Sequence, residues 1–358
     1  MRQVFLRTIL CAAVAAAPAL ADGRGDVDVR TGNYTQTNLV SDQTGVATHT
    51  DPDLVNAWGM ALLGGGPWWV NANGTGLSLV YDSTGAPYPS GSPLIVAVPP
   101  FPSAPTGIVS NGTQDFQVAP GLPALFLFDT EDGTISGWNS SANATDAILK
   151  VTTPDAVYKA LAMGQMNGAN VLYAANFHSG WIEVYDSNFN PVTLPSGAFV
   201  DPAVPAGYGP FNIQNIGGNI FVTWAEQDAD KHDEVDGPGL GYVDEFSPSG
   251  TLILQFQHGN YMNAPWGLAM APARFGPLSG DLLVGNFGSG QIAAFNASTG
   301  AFVGTMNASR KHPVTIDGLW GMQFGNGGLG GSSSVLYFTA GPQGESHGLF
   351  GSLAFTRK

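Results

Sequence analysis

Pro265-Trp266-Gly267-Leu268-Ala269-Met270 is the phrase on which the reading of this chain turns. It returns as Asn56-Ala57-Trp58-Gly59-Met60-Ala61 and as Gly318-Leu319-Trp320-Gly321-Met322. Looser copies are Pro105-Thr106-Gly107-Ile108, Tyr158-Lys159-Ala160-Leu161-Ala162-Met163 and Pro210-Phe211-Asn212-Ile213. The equivalent positions are 58, 106, 159, 211, 266 and 320, at spacings of 48, 53, 52, 55 and 54 residues. Units of near-constant length recur when one supersecondary unit cannot bury its apolar faces alone and must stack on its neighbours.

Each unit continues in one order. A short apolar run follows the phrase, as in Val171-Leu172-Tyr173-Ala174-Ala175, and then a turn such as Asn286-Phe287-Gly288-Ser289-Gly290. A third strand comes next, Trp181-Ile182-Glu183-Val184-Tyr185-Asp186 in one unit, and a second turn leads to a fourth, as in Ala301-Phe302-Val303-Gly304. Four short strands divided by glycine turns describe a propeller blade. The last unit holds only three strands, around Trp320–Phe324, Val335–Thr339 and Leu349–Phe355, while Tyr34–Val40 precedes the first unit without a partner. Pairing that segment as the outer strand of the last blade closes the ring and hides an open edge. The expected fold is an all-β, six-bladed β-propeller, one domain over residues 22–358. Trp68 and Trp69 are consecutive, so on a strand they face opposite sides of the blade.

Residues 1–21 read as a cleaved export signal. Arg2 and Arg7 precede the apolar stretch Thr8–Ala17, and Ala19-Leu20-Ala21 offers small residues for a peptidase. Cys11, the one cysteine, would leave with it, so the mature chain has no disulfide and no thiolate chemistry. Acids outnumber bases 27 to 12, a net charge of −15, which disfavours nucleic acid and anionic membrane as partners. The expectation is a secreted or periplasmic monomer, not inserted in a membrane once the signal is gone. Asn-x-Ser/Thr sequons stand at Asn33, Asn73, Asn111, Asn139, Asn143, Asn296 and Asn307, acceptors for glycan in a eukaryotic secretory route.

The glycine-centred phrase resembles that of NHL-type six-bladed propellers. A closer resemblance, from about Tyr34 to Leu353, is to a family of secreted bacterial and fungal propellers of no established reaction. It is carried by Asp51-Pro52-Asp53-Leu54-Val55-Asn56-Ala57-Trp58-Gly59, Thr130-Glu131-Asp132-Gly133-Thr134-Ile135 and Pro210-Phe211-Asn212-Ile213-Gln214-Asn215-Ile216-Gly217-Gly218. Phe338-Thr339-Ala340-Gly341-Pro342 carries it too. The resemblance implies fold and export, and no substrate.

Candidate site residues follow from the blade register. The turn after the second strand carries Ala72, Asp129, Asn176, Trp224, Asn286 and Ala340. Asp129, Asn176 and Asn286 are candidate oxygen ligands for a divalent cation such as calcium, or side chains that cap tight turns. The segment Glu226–Asp236 is a polar insertion in the fourth unit, a lid or a loose cation site through Asp228, Asp233 and Asp236. It is no EF-hand, since Asp233 stands at the glycine position and Gly239 at the final glutamate. Glu131, Asp228, Glu345 and His347 are candidate acids and bases. Trp58, Trp224, Trp266, Trp320 and His178 are candidates for ligand binding at the channel mouth, the repeated tryptophans reading equally as inter-blade packing. There is no Gly-x-Ser-x-Gly elbow, phosphate loop or His-Glu-x-x-His.

Two functions fit these residues. One is binding of a small molecule or glycan at the channel mouth. The other is a metal-assisted hydrolase, lactonase or lyase with turn Asp and Asn ligands and a carboxylate or histidine base. Fold alone does not choose between them.

Overall fold

The computed structural model describes residues 33–309 and 312–356. The export signal read at residues 1–21 lies outside them. Six antiparallel sheets stand around a central channel. Blade 1 runs from its inner strand Ala57–Leu62 outward through Trp68–Ala72, Leu77–Tyr81 and Ile95–Ala97. Blade 2 is built from Pro105–Ser110, Phe126–Thr130, Thr134–Trp138 and Ile148–Thr152. Blade 5 comprises Pro265–Met270, Asp281–Asn286, Ile292–Asn296 and Phe302–Thr305.

Blade 6 closes the ring as its sequence requires. Its inner three strands are Leu319–Phe324, Val335–Ala340 and Leu349–Phe355, and Tyr34–Ser41 pairs antiparallel with the last of them, Tyr34 opposite Phe355 and Ser41 opposite Leu349. The Tyr34 hydroxyl donates to the Phe275 carbonyl, tying this strand to blade 5.

Blade 3 departs from the expected four strands. Tyr158–Met166, Ala169–Asn176 and Trp181–Asp186 form its sheet, and the fourth place is taken by a single bridge between Tyr185 and Pro191. Pro191 and Pro195 lack the N–H a ladder needs, which breaks the pairing. Blade 4 is built from Tyr208–Ile216, Asn219–Gln227, Tyr242–Phe246 and Leu252–Gln255. Its second strand runs on into the polar insertion, where Glu234–Val235 folds back to pair with Glu226 and Gln227.

The core lies between the blades. Trp68 packs on Tyr337 and Phe350 of blade 6, while Trp69 packs on Phe126 and Trp138 of blade 2. Consecutive residues thus serve opposite interfaces, as strand alternation demands. The glycine of the repeated phrase marks where inner strands come closest. A Cβ on Gly59 would fall against the Thr106 carbonyl oxygen, and one on Gly321 would stand 2.8 Å from the Trp58 carbonyl oxygen. No helix among the described residues is long and apolar enough to cross a membrane.

Candidate functional site

The six equivalent repeat positions meet at the waist of the channel. Trp58 and Trp320 stack at 3.6 Å between ring centroids, and Trp266 stands edge-on to both at 6.4 and 6.0 Å. Phe211 lies 5.7 Å from Trp320, which Phe287 covers on another side at 4.1 Å. Thr106 turns its hydroxyl to the Tyr158 carbonyl and Asp129. Lys159 takes the remaining position, its ammonium 5.2 Å from the Trp58 ring centroid. Aromatic rings in such contact gain roughly 0.5–1.5 kcal/mol a pair beyond their burial. The rings form a plug across the channel.

Above the plug, on the face where the second strands turn back, polar groups gather on that one lysine. Lys159 is 1% exposed and its ammonium lies 2.5 Å from Glu131 Oε1 and 3.2 Å from Asp233 Oδ1. Glu131 Oε2 accepts from Asn73 at 2.9 Å, and Glu345 Oε2 accepts from Asn56 at 2.7 Å. Asn56 Oδ1 in turn accepts from the Trp320 indole at 2.9 Å, which joins the mouth to the plug. Asn56 and Glu345 both hold left-handed backbone, φ +49° and +65°, a conformation that costs a non-glycine residue about 1–3 kcal/mol and clusters at functional sites.

The charge balance of this mouth is uneven. Glu131, Asp233, Glu234 and Glu345 all act on the one ammonium. Burial alone would weaken the Lys159 ammonium, but Glu131 first, then Glu234 and Asp233, hold its pKa well above the ordinary lysine value. Burial pushes Glu234 up to about 8 against the pull of Lys159, and burial likewise raises Glu345. Burial would raise Asp233 too, but Lys159 and then His232 bring it below the usual carboxylate range. Neighbouring carboxylates of opposite displacement are the arrangement that can divide acid and base roles.

The candidates named from sequence fall into three groups. Glu131 and Glu345 are brought together at the mouth. The side chains of Asp228 and His347 are engaged with other partners: Asp228 shapes the insertion by accepting from the His232 amide at 2.9 Å, and His347 pairs through Nδ1 with Asp42 Oδ2 at 2.7 Å. The proposed cation ligands are each engaged within their own surroundings. Asp129 Oδ1 accepts from Thr106 and the Gly107 amide, and burial raises its pKa to about 7. Asn176 Oδ1 accepts from the Ser179 amide at 3.2 Å and its Nδ2 donates to Glu183, while Asn286 Oδ1 accepts from the Asn263 amide at 2.8 Å. The Asn176 bond caps its own turn, whereas Asp129 and Asn286 tie the second strand of their blade to backbone 22 and 23 residues earlier, in the inner strand and just before it. The three side chains share no partner.

Trp58, Trp266 and Trp320 are plug, with almost no ring surface left to solvent. Trp224 is buried and donates to Asp244 Oδ2 at 2.8 Å. His178 is half-buried in the turn of blade 3. Lys159 and Asn56 were not singled out from sequence, and Asn73 was named there only as a sequon. The signal was there for Lys159, a charge at a repeat position that holds aromatic residues in four of the other five units. One further grouping is present: ligand atoms of Glu131, His232 and Asp233 lie within 4.8 Å of one another.

No known family profile matches the chain. Uncharacterized protein R648 of Acanthamoeba polyphaga mimivirus is 36% identical over 295 residues, covering 79% of this chain and 72% of its own. Uncharacterized protein L690 of the same virus is 34% identical over 327 residues, 88% of this chain and 84% of its own. Both are viral proteins of no stated function. Among solved structures, virginiamycin B lyase from Staphylococcus aureus superimposes on 90% of this chain and 99% of its own, with TM-score 0.51 and 13% identity. A Bacteroides thetaiotaomicron protein of unknown function superimposes on 92% and 74%, with TM-score 0.54 and 10% identity. At these identities the likeness is one of fold.

Proposed function

Since this chain belongs to one family with the mimivirus proteins R648 and L690, and its fold is a six-bladed propeller, we propose that it is a ligand-binding propeller whose channel mouth takes a small neutral hydroxylated molecule or a glycan end. The observation that carries the reading is Lys159, buried on an aromatic floor and faced by Glu131, Asp233, Glu234 and Glu345. Carboxylates and the amides of Asn56 and Asn73 present acceptors and donors to hydroxyl groups in a site of fixed geometry. The excess of carboxylate over ammonium repels acidic ligands. The signal-like N-terminus supports action outside the cytoplasm, and we read the chain as a monomer there.

The test is a thermal-shift screen of neutral and acidic glycans against the native protein and the variants Glu131→Gln and Asn73→Ala. A neutral glycan is expected to raise the melting temperature of the native protein and to lose that effect in both variants. No glycan with a variant-dependent shift would dispose of the reading.

A second reading is favoured by the Glu131, His232 and Asp233 grouping: a divalent cation there, supporting hydrolysis, lactone opening or elimination with Glu345 as base. A mixed oxygen and nitrogen set suits a first-row transition metal better than calcium. Lys159 already contacts two of the three groups, so the ion would compete with an ammonium for them. A melting temperature that falls with EDTA in the native protein, but not in His232→Ala, would turn the assignment to this reading.

A further inference from the structure

The plug divides the channel into two compartments. On the side away from the mouth, toward the ends of the inner strands, lies a chamber of about 270 Å³ to which all six blades contribute. The titratable cluster lies on the other side of the plug. Trp266 belongs to both the plug and the chamber wall, so the chamber is closed at its inner end. No charged residue lines it, in a chain of net charge −15. The wall carries Met60, Met163 and Met322, unbranched side chains that adapt to the shape of an occupant.

Five polar side chains stand on its wall: Asn212 and Asn215 are spent on the Trp266 and Met163 carbonyls, which leaves Ser110 from blade 2, Gln214 from blade 4 and Gln323 from blade 6. These three come from alternate blades, are half-buried, and make no side-chain hydrogen bond among the described residues. Each inner strand is the innermost of its sheet, and side chains already take up part of its open edge, as Asn71 does at the Gly107 carbonyl and Asn215 at that of Met163. The surface exposed in the chamber is divided about evenly between polar and apolar atoms. Small-molecule sites combine apolar walls with placed polar groups, and the volume lies just under their usual range of about 300–1,000 Å³. A charged ligand would lose its hydration there with no opposite charge to replace it.

We propose that this chamber is a second binding site, for a small, neutral molecule with an apolar body whose hydrogen-bonding groups meet Ser110, Gln214 and Gln323. The site is separate from the mouth and does not depend on what the mouth binds.

The probe is N-phenyl-1-naphthylamine, neutral and fluorescent in apolar surroundings, titrated into the full protein. Saturable enhancement at one site is expected. Ser110→Asp and Gln323→Glu, which place a charge on the wall without disturbing a packed core, are to weaken binding about tenfold or more. Met163→Trp, which fills the chamber instead of charging it, is to give the same loss, so one misfolded variant does not decide the outcome. Trp181→Ala is to leave binding unchanged, because that ring borders a separate apolar groove on the outside of blade 3. Absence of saturable enhancement overturns the proposal. So does loss of the signal in Trp181→Ala with the wall variants unaffected, which would move the probe to the outer groove.

Discussion

Lys159 is the residue on which the mouth depends. A buried ammonium is tolerated where carboxylates meet it, and Glu131 does so at 2.5 Å. Removing one partner of such a pair leaves the other buried and uncompensated, at a cost of about 3–5 kcal/mol. Lys159→Met is therefore expected to lower stability by that order, and Glu131→Gln in the same background to recover part of it. Urea denaturation of the four members of this double-mutant cycle reads the coupling directly. Strictly additive losses would show that the pair contributes nothing as a pair. In the sequence Lys159 was visible as an anomaly of the repeat. Its meaning was not, because Glu131 and Asp233 reach it from blades 2 and 4 and no local spacing relates the three.

At the scale of the strand, the glycine of the repeated phrase has a packing reason. Gly59 and Gly321 sit where one inner strand passes the backbone of the next, and there is no room for a methyl group at either. Gly59→Ala is expected to push blades 1 and 2 apart at the waist and to cost about 1–3 kcal/mol, the range for overpacking. Ala160→Gly, at the equivalent position of blade 3, is expected to cost less than 1 kcal/mol or so, the ordinary strand penalty of glycine. Chemical denaturation midpoints of the two variants check the contrast, and equal losses would refute the close-approach argument. Strand order and ring closure were legible because apolar alternation and turn residues act locally. The missing fourth strand of blade 3 was legible only in part: Pro191 and Pro195 were there to be weighed, but the other five units set the stronger expectation.

For the whole molecule, buried acids and net charge act in the same direction. Asp129 is raised to about 7 by burial, Asp244 to about 8 by burial with Asp201 beside it, and Glu234 to about 8 by burial. Each lies above its unfolded value, 3.8 for aspartate and 4.5 for glutamate. The folded state therefore binds more protons than the unfolded chain in the interval between, and its stability falls as pH rises through it. Self-repulsion of a chain at −15 adds to the trend. Urea midpoints are expected to be lower at pH 8.5 than at pH 5, with the slope reduced in Asp244→Asn and Asp129→Asn. A midpoint that rose across this range would contradict the assignment.

By itself the sequence determined the number of blades, the order of their strands and the closing of the ring by Tyr34–Ser41, because these follow from repeat period, side-chain alternation and an unpaired edge that needs covering. The tertiary structure alone decided that the repeat positions form a plug, that the plug splits the channel, and which polar groups surround Lys159. Those features arise from residues some 28 to 289 positions apart brought to one axis. Asp129, Asn176 and Asn286 could be read in sequence as ligands or as caps, and only the folded blades show which donors face their oxygens. Local pattern specifies the blade, whereas the site is made by its closing into a ring.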